Sequence, residues 1–178
     1  GPCRNLHIPR CNVVKPENLL ITVEYIRQAL DDLIKTPVQE RVNPLQFLHL
    51  IDEYCLKADF SFFQNPRQFA LNEFLASVIR EQYRQQRGLH DLPAPQAGVS
   101  LATATNMIME DASVSNPDLL GWAWIYFHYV EDHLHISQQW FCDTVRLDDR
   151  TIRRYQKDTI NHLLKHLIVL EQEARLNH

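Results

Sequence analysis

Three Asn-Pro dipeptides, Asn43-Pro44, Asn65-Pro66 and Asn116-Pro117, constrain this chain more than any other feature. Asn accepts hydrogen bonds from the free N–H groups of a first helical turn. The Pro beside it has a φ that is already helical and no N–H to leave unsatisfied. Apolar residues at helical spacing follow each one. They are Leu45, Leu48, Ile51 and Cys55 after the first, and Phe69, Phe74, Leu75, Val78 and Tyr83 after the second, closing at Gly88. After the third comes the aromatic segment Trp122 to Tyr129.

Upstream, Leu19, Leu20, Val23, Ile26, Leu30, Leu33 and Ile34 recur in steps of three and four. They predict a helix from about Glu17 to Lys35, ended by Pro37. Ser100 is placed to cap a short helix through Met109. No segment alternates as a strand does. The expected class is all-α, a multi-helix bundle of about seven or eight helices. Residues 15–87 form an N-terminal helical part, 88–99 a Pro-containing loop or linker, and 100–178 a C-terminal part.

Composition removes several classes. The chain has four glycines in 178 residues, and Gly1-Pro2 reads as the scar of a tag-cleaving protease. So few argue against a Gly-rich phosphate loop, a dinucleotide fingerprint or a turn-rich all-β fold. A net charge of −4 excludes coating of nucleic acid by bulk charge but leaves room for a local basic face. No apolar run reaches the roughly eighteen residues of a membrane span. The most apolar stretch, Leu119 to Val130, holds Gly121 and His128 and reads as a buried core helix. Cys3, Cys11, Cys55 and Cys142 are scattered, two within apolar helical patterns, as reduced cysteines are. With no secretory signal visible, the expected compartment is the cytoplasm.

Residues 137–157, S-Q-Q-W-F-C-D-T-V-R-L-D-D-R-T-I-R-R-Y-Q-K, are the most specific segment. Two short helices crossing steeply need a small residue at the close contact, apolar residues on both facing sides, and an apolar plug in the turn. Cys142 fills the small slot. Phe141 and Val145 form the inner face of the first helix, Leu147 the plug, and Ile152 with Tyr155 the inner face of the second. These are the slots of a helix-turn-helix in register. Asp148 or Asp149 caps the second helix, whose outer face carries Arg150, Arg153, Arg154 and Lys157. Arg146 stands where the turn commonly has Gly. A left-handed backbone costs an Arg roughly 1 kcal/mol, so some remodelling of the turn is expected.

The stretch resembles the helix-turn-helix of bacterial regulators, including the promoter-reading part of sigma factors. The words D-R-T-I-R-R-Y, followed by a Leu-rich helix ending E-Q-E-A-R, also resemble helical modules attached to bacterial signalling NTPases of the STAND type. The resemblance covers roughly residues 117–176. It implies that Arg150, Arg153 and Arg154 stand where such motifs place groove-contacting side chains. Charge is less supportive: from Asp148 to Asp158, four basic groups face three acids, a net of +1. The same geometry also serves contacts with protein alone.

From Asp149 no helix breaker appears before Asn177. Ile160, Leu163, Leu167, Leu170 and Ala174 make a short heptad seam, widened by Leu164 and Ile168. It either packs within its own domain or pairs two protomers as a homodimer.

Other chemistry is thin. His162 and His166 are i, i+4, and His128, His133 and His135 lie near Glu131 and Asp132, yet no H-E-x-x-H or C-x-x-C occurs. Cys3, His7 and Cys11 lack a fourth partner. The paired carboxylates Asp31-Asp32, Asp52-Glu53 and Glu110-Asp111 fit solvated helix faces. Trp122, Trp124, Tyr126, Phe127 and Tyr129 surround one helix and read as core rather than as a base-stacking platform. The expectation is a non-enzymatic regulatory module with no cofactor, metal, membrane or small-molecule substrate. Its partner is DNA or, as the alternative, a protein domain, including an autoinhibitory one in a larger NTPase.

Overall fold

The computed structural model describes residues 20–34 and 42–177, and all regular structure among them is helical. The α-helices are α1 (Val23–Ile34), α2 (His49–Lys57), α3 (Pro66–Leu89), α4 (Leu101–Val114), α5 (Pro117–Ile125), α6 (Gln138–Val145) and α7 (Asp149–Leu176). Short 3-10 turns cover Pro44–Phe47 and Asp132–Leu134, and a π-helical turn, Tyr126–Val130, prolongs α5. Among the described residues no helix is long and apolar enough to cross a membrane.

The Asn-Pro signals act as their chemistry requires. Asn65 accepts the amide of Gln68 at 3.2 Å and opens α3, and Asn116 accepts that of Leu119 at 3.0 Å and opens α5. Asn43 accepts from Leu45 at 2.9 Å, but it opens the 3-10 turn rather than α2. Leu48 then swings to extended backbone, and α2 starts afresh at His49. In α1, Thr22 accepts the amide of Tyr25, so the described helix starts at Val23. The predicted turn from Glu17 to Leu19 lies outside the described residues, as do Lys35 and Pro37. Ser100 caps α4, which runs past Met109 to Val114 because Ile108 and Asp111 keep one face buried. Ser115, in the left-handed region, ends it.

α5 is the axis of the bundle. Every residue from Leu119 to Ile125 is buried, with α3 on one side and α7 on another. Gly121 permits the α5–α7 approach. A Cβ there would lie 2.0 Å from Thr159 Oγ1 and 3.0 Å from the Tyr155 carbonyl. α1 and α2 also pack on α7, so the parts before and after residues 88–99 share one core. That connection is itself fastened: Arg87 Nε donates to the Pro93 carbonyl at 2.6 Å and Leu92 packs on the core.

Two carboxylates expected on solvated faces are buried instead, Asp111 fully and Asp32 to 2% exposure. Asp111 accepts from the Tyr83 hydroxyl and, at 2.7 Å, from the fully buried guanidinium of Arg87. A helical wheel reads polar residues as outward, and it fails where a second buried helix supplies the matching charge. Asp52 is ion-paired to Arg67 at 2.6 Å.

Candidate functional site

The α6–α7 corner is assembled by local hydrogen bonds. Ser137 accepts the Trp140 amide at 3.1 Å and starts α6. Arg146 takes the left-handed backbone, φ 59 and ψ 42, which ends it. The amide of Leu147 then returns to the Cys142 carbonyl at 3.1 Å, a closure that satisfies an otherwise orphaned acceptor. The turn is therefore not remodelled by lacking Gly, and Arg146 bears the strain with its side chain in solvent. Asp148 caps α7 by accepting from the Thr151 amide at 2.7 Å. The Thr151 side chain, and then its amide, hold the Asp148 carboxyl below its ordinary range.

The inner slots are filled as the pattern predicts. Phe141, Cys142, Val145 and Ile152 are buried, and Leu147 and Tyr155 half-buried. Phe141 lies 5.2 Å from the Trp124 ring, fixing α6 to α5. Burial, then the charges of Asp149, Asp143 and Asp148, raise the Cys142 thiol and disfavour its thiolate, as suits a side chain packed in the corner.

Arg150, Arg153, Arg154 and Lys157 are all exposed on the first turns of α7. They are not equivalent. Arg153 donates through Nε to Asp149 at 2.8 Å, and Asp149 also accepts from the side-chain amide of Gln138 on α6. Arg154 lies over the Tyr155 ring, its guanidinium carbon 5.6 Å from the centroid. The sequence pattern did not reveal the Gln138–Asp149–Arg153 link. Only the i, i+4 spacing of Asp149 and Arg153 could have signalled part of it.

The seam on α7 is not a free stripe. Ile160, Leu163 and Leu167 are at most 3% exposed in the single chain, Leu170 is half-buried, and α7 packs against α1, α2 and α5. These side chains are already withdrawn from water, so they do not offer an apolar face to a second copy. The heptad spacing arose because the buried face of a helix in a bundle has nearly the same period as a coiled-coil seam.

Among the described residues no group of three or more His, Cys, Asp or Glu could hold a metal ion, and Cys3, His7 and Cys11 lie outside them. Trp122, Trp124, Tyr126, Phe127 and Tyr129 are buried around α5 and its π-helical turn. Set against protein-family models, curated proteins and solved structures, the chain matches none.

Proposed function

We propose that α6 and α7 form a helix-turn-helix and that the protein is a non-enzymatic, cytoplasmic regulatory module. It binds duplex DNA through Arg150, Arg153, Arg154 and Lys157. One observation carries this reading. All six apolar slots are buried or half-buried while the four cations, all on α7, stay exposed. Exposed cations on the first turns of a helix suit phosphates and base edges in the major groove. The resemblance of residues 137–157 to sigma-factor helix-turn-helices supports the same reading, whereas the resemblance to STAND-associated modules supports the second reading below.

The test is fluorescence anisotropy with a mixed-sequence duplex. With three or four phosphate contacts, affinity should fall roughly a hundredfold between about 50 and about 200 mM salt. Arg153→Ala with Arg154→Ala should weaken binding and leave the melting temperature unchanged. Absence of a complex at low salt, or equal binding by the double variant, overturns the DNA reading.

A second reading, docking of a protein domain, is favoured by two observations. Arg153 already has a carboxylate partner, and the α7 seam that would pair two DNA-reading copies is buried. Under it the same face binds an acidic protein surface, and the duplex gives no complex.

A further inference from the structure

His133 stands between two acceptors. Its Nδ1 is 3.3 Å from the Glu131 carboxylate, and its Nε2 is 3.1 Å from the Val99 carbonyl. A neutral imidazole carries one N–H and can satisfy only one of them, whereas an imidazolium satisfies both. Glu131 is itself 3% exposed. Its carboxylate accepts from the Tyr126 hydroxyl at 2.6 Å and from the Gly98 amide at 3.2 Å. One buried carboxylate and one half-exposed ring thus hold consecutive residues, Gly98 and Val99, at the end of the connection between α3 and α4. Gly98 meets them with a left-handed backbone, φ 70.

We infer that His133 is a proton-operated latch: as the imidazolium it pins the Gly98–Val99 end of this strap to Glu131, and on losing its proton it releases Val99. The strap leads directly into the Ser100 cap of α4, and α4 packs on α6, so the latch controls how firmly the support of the α6–α7 corner is seated. Among the described residues, these charged or titratable groups stand around it. Asp132 lies in its own turn, Tyr126 is on the π-helical turn, and Arg80 of α3 reaches the Tyr126 hydroxyl. The strap residues it meets, Gly98 and Val99, bring no charge. Histidine is the side chain whose charge ordinarily changes between about pH 5 and 8, and that is the window in which a latch of this geometry is tested.

The sign follows from the geometry. The protonated form makes the extra bond, so the latch is closed at low pH and opens as pH rises. Hydrogen-exchange mass spectrometry on the whole chain, corrected for intrinsic rates, tests it at pH 5.5, 7 and 8.5. Protection of the peptide covering residues 96–101 should drop by about tenfold across that range. Protection in α5 should not change. His133→Leu, which has no N–H to donate, should show the low protection at every pH. A pH dependence that persists in His133→Leu overturns the inference. So do protection that rises with pH and nitrogen-15 spectra showing a single ring proton at pH 5.5.

Discussion

The carboxylate of Glu171, near the end of α7, caps a helix that begins 122 residues earlier: it accepts the Leu50 amide at 3.0 Å. It also accepts the His49 amide at 3.2 Å and pairs with Arg175 Nε at 3.4 Å. α2 needs this because its own N-cap residue, Leu48, has no side-chain acceptor. A negative charge on exposed N–H groups also suits the helix dipole. Glu171 is 3% exposed, so water does not replace it.

Glu171→Ala should therefore cost about 1–3 kcal/mol by stranding one buried and one part-buried donor. Glu171→Gln keeps an acceptor oxygen and should lose less. Urea midpoints for the three proteins decide the matter, and an unchanged midpoint for Glu171→Ala would mean that α2 finds another cap.

Alkaline pH gives a second prediction. Burial is the main cause raising the tyrosines Tyr83, Tyr126 and Tyr129 above their ordinary value, assisted by carboxylates, Asp111 beside Tyr83, Glu131 beside Tyr126 and Asp31 near Tyr129. An acid raised in the fold keeps its proton while the unfolded chain releases it. Stability is then full below about pH 10 and falls above it, by up to about 1.4 kcal/mol per pH unit for each such tyrosine. Unfolding free energies at pH 8, 9.5 and 11 should decline steeply over the last interval. Tyr126→Phe should start lower, having lost its bond to Glu131, and decline less. Parallel curves for the two proteins would contradict the assignment.

How much of this was legible in the sequence depended on range. Asn65, Asn116 and Ser100 each cap the residue three positions on, so local chemistry alone placed them. Phe141, Cys142, Val145 and Ile152 were legible because a turn of fixed length sets their register. The Glu171 cap, the Arg87–Asp111 pair and the His133–Val99 contact join residues 24 to 122 positions apart. No periodicity encodes these. The seam left two alternatives open for a related reason: Ile160, Leu163 and Leu167 declare an apolar face, but the spacing does not say whether the chain's own helices or another copy cover it.

Cys142 supplies the third prediction. It is buried at the end of α6, where its carbonyl also receives the Leu147 amide, so neither side chain nor backbone can withdraw. Cys142→Leu should overpack the corner and cost about 1–3 kcal/mol. Cys142→Ala should be nearly silent. Equal melting temperatures for the two would show that the corner has spare room.

Gly121 and Gly88 make the sharpest pair of experiments, because the same substitution should act in opposite directions. Both lie inside helices, where Ala is better than Gly by about 1 kcal/mol. At Gly88 a Cβ meets nothing within 4 Å, so Gly88→Ala should raise the melting temperature. At Gly121 the Cβ would sit 2.0 Å from Thr159 Oγ1 and 3.0 Å from the Tyr155 carbonyl. The Thr159 hydroxyl could be removed, but the carbonyl belongs to the backbone of α7 and moves only with the helix. Gly121→Ala should thus push α7 from α5 and outweigh the helical gain, costing about 1–3 kcal/mol net. Adding Thr159→Ala should recover part of the loss and leave the carbonyl's share. If Gly121→Ala instead stabilises the protein as Gly88→Ala does, α5 and α7 are farther apart than the bundle requires.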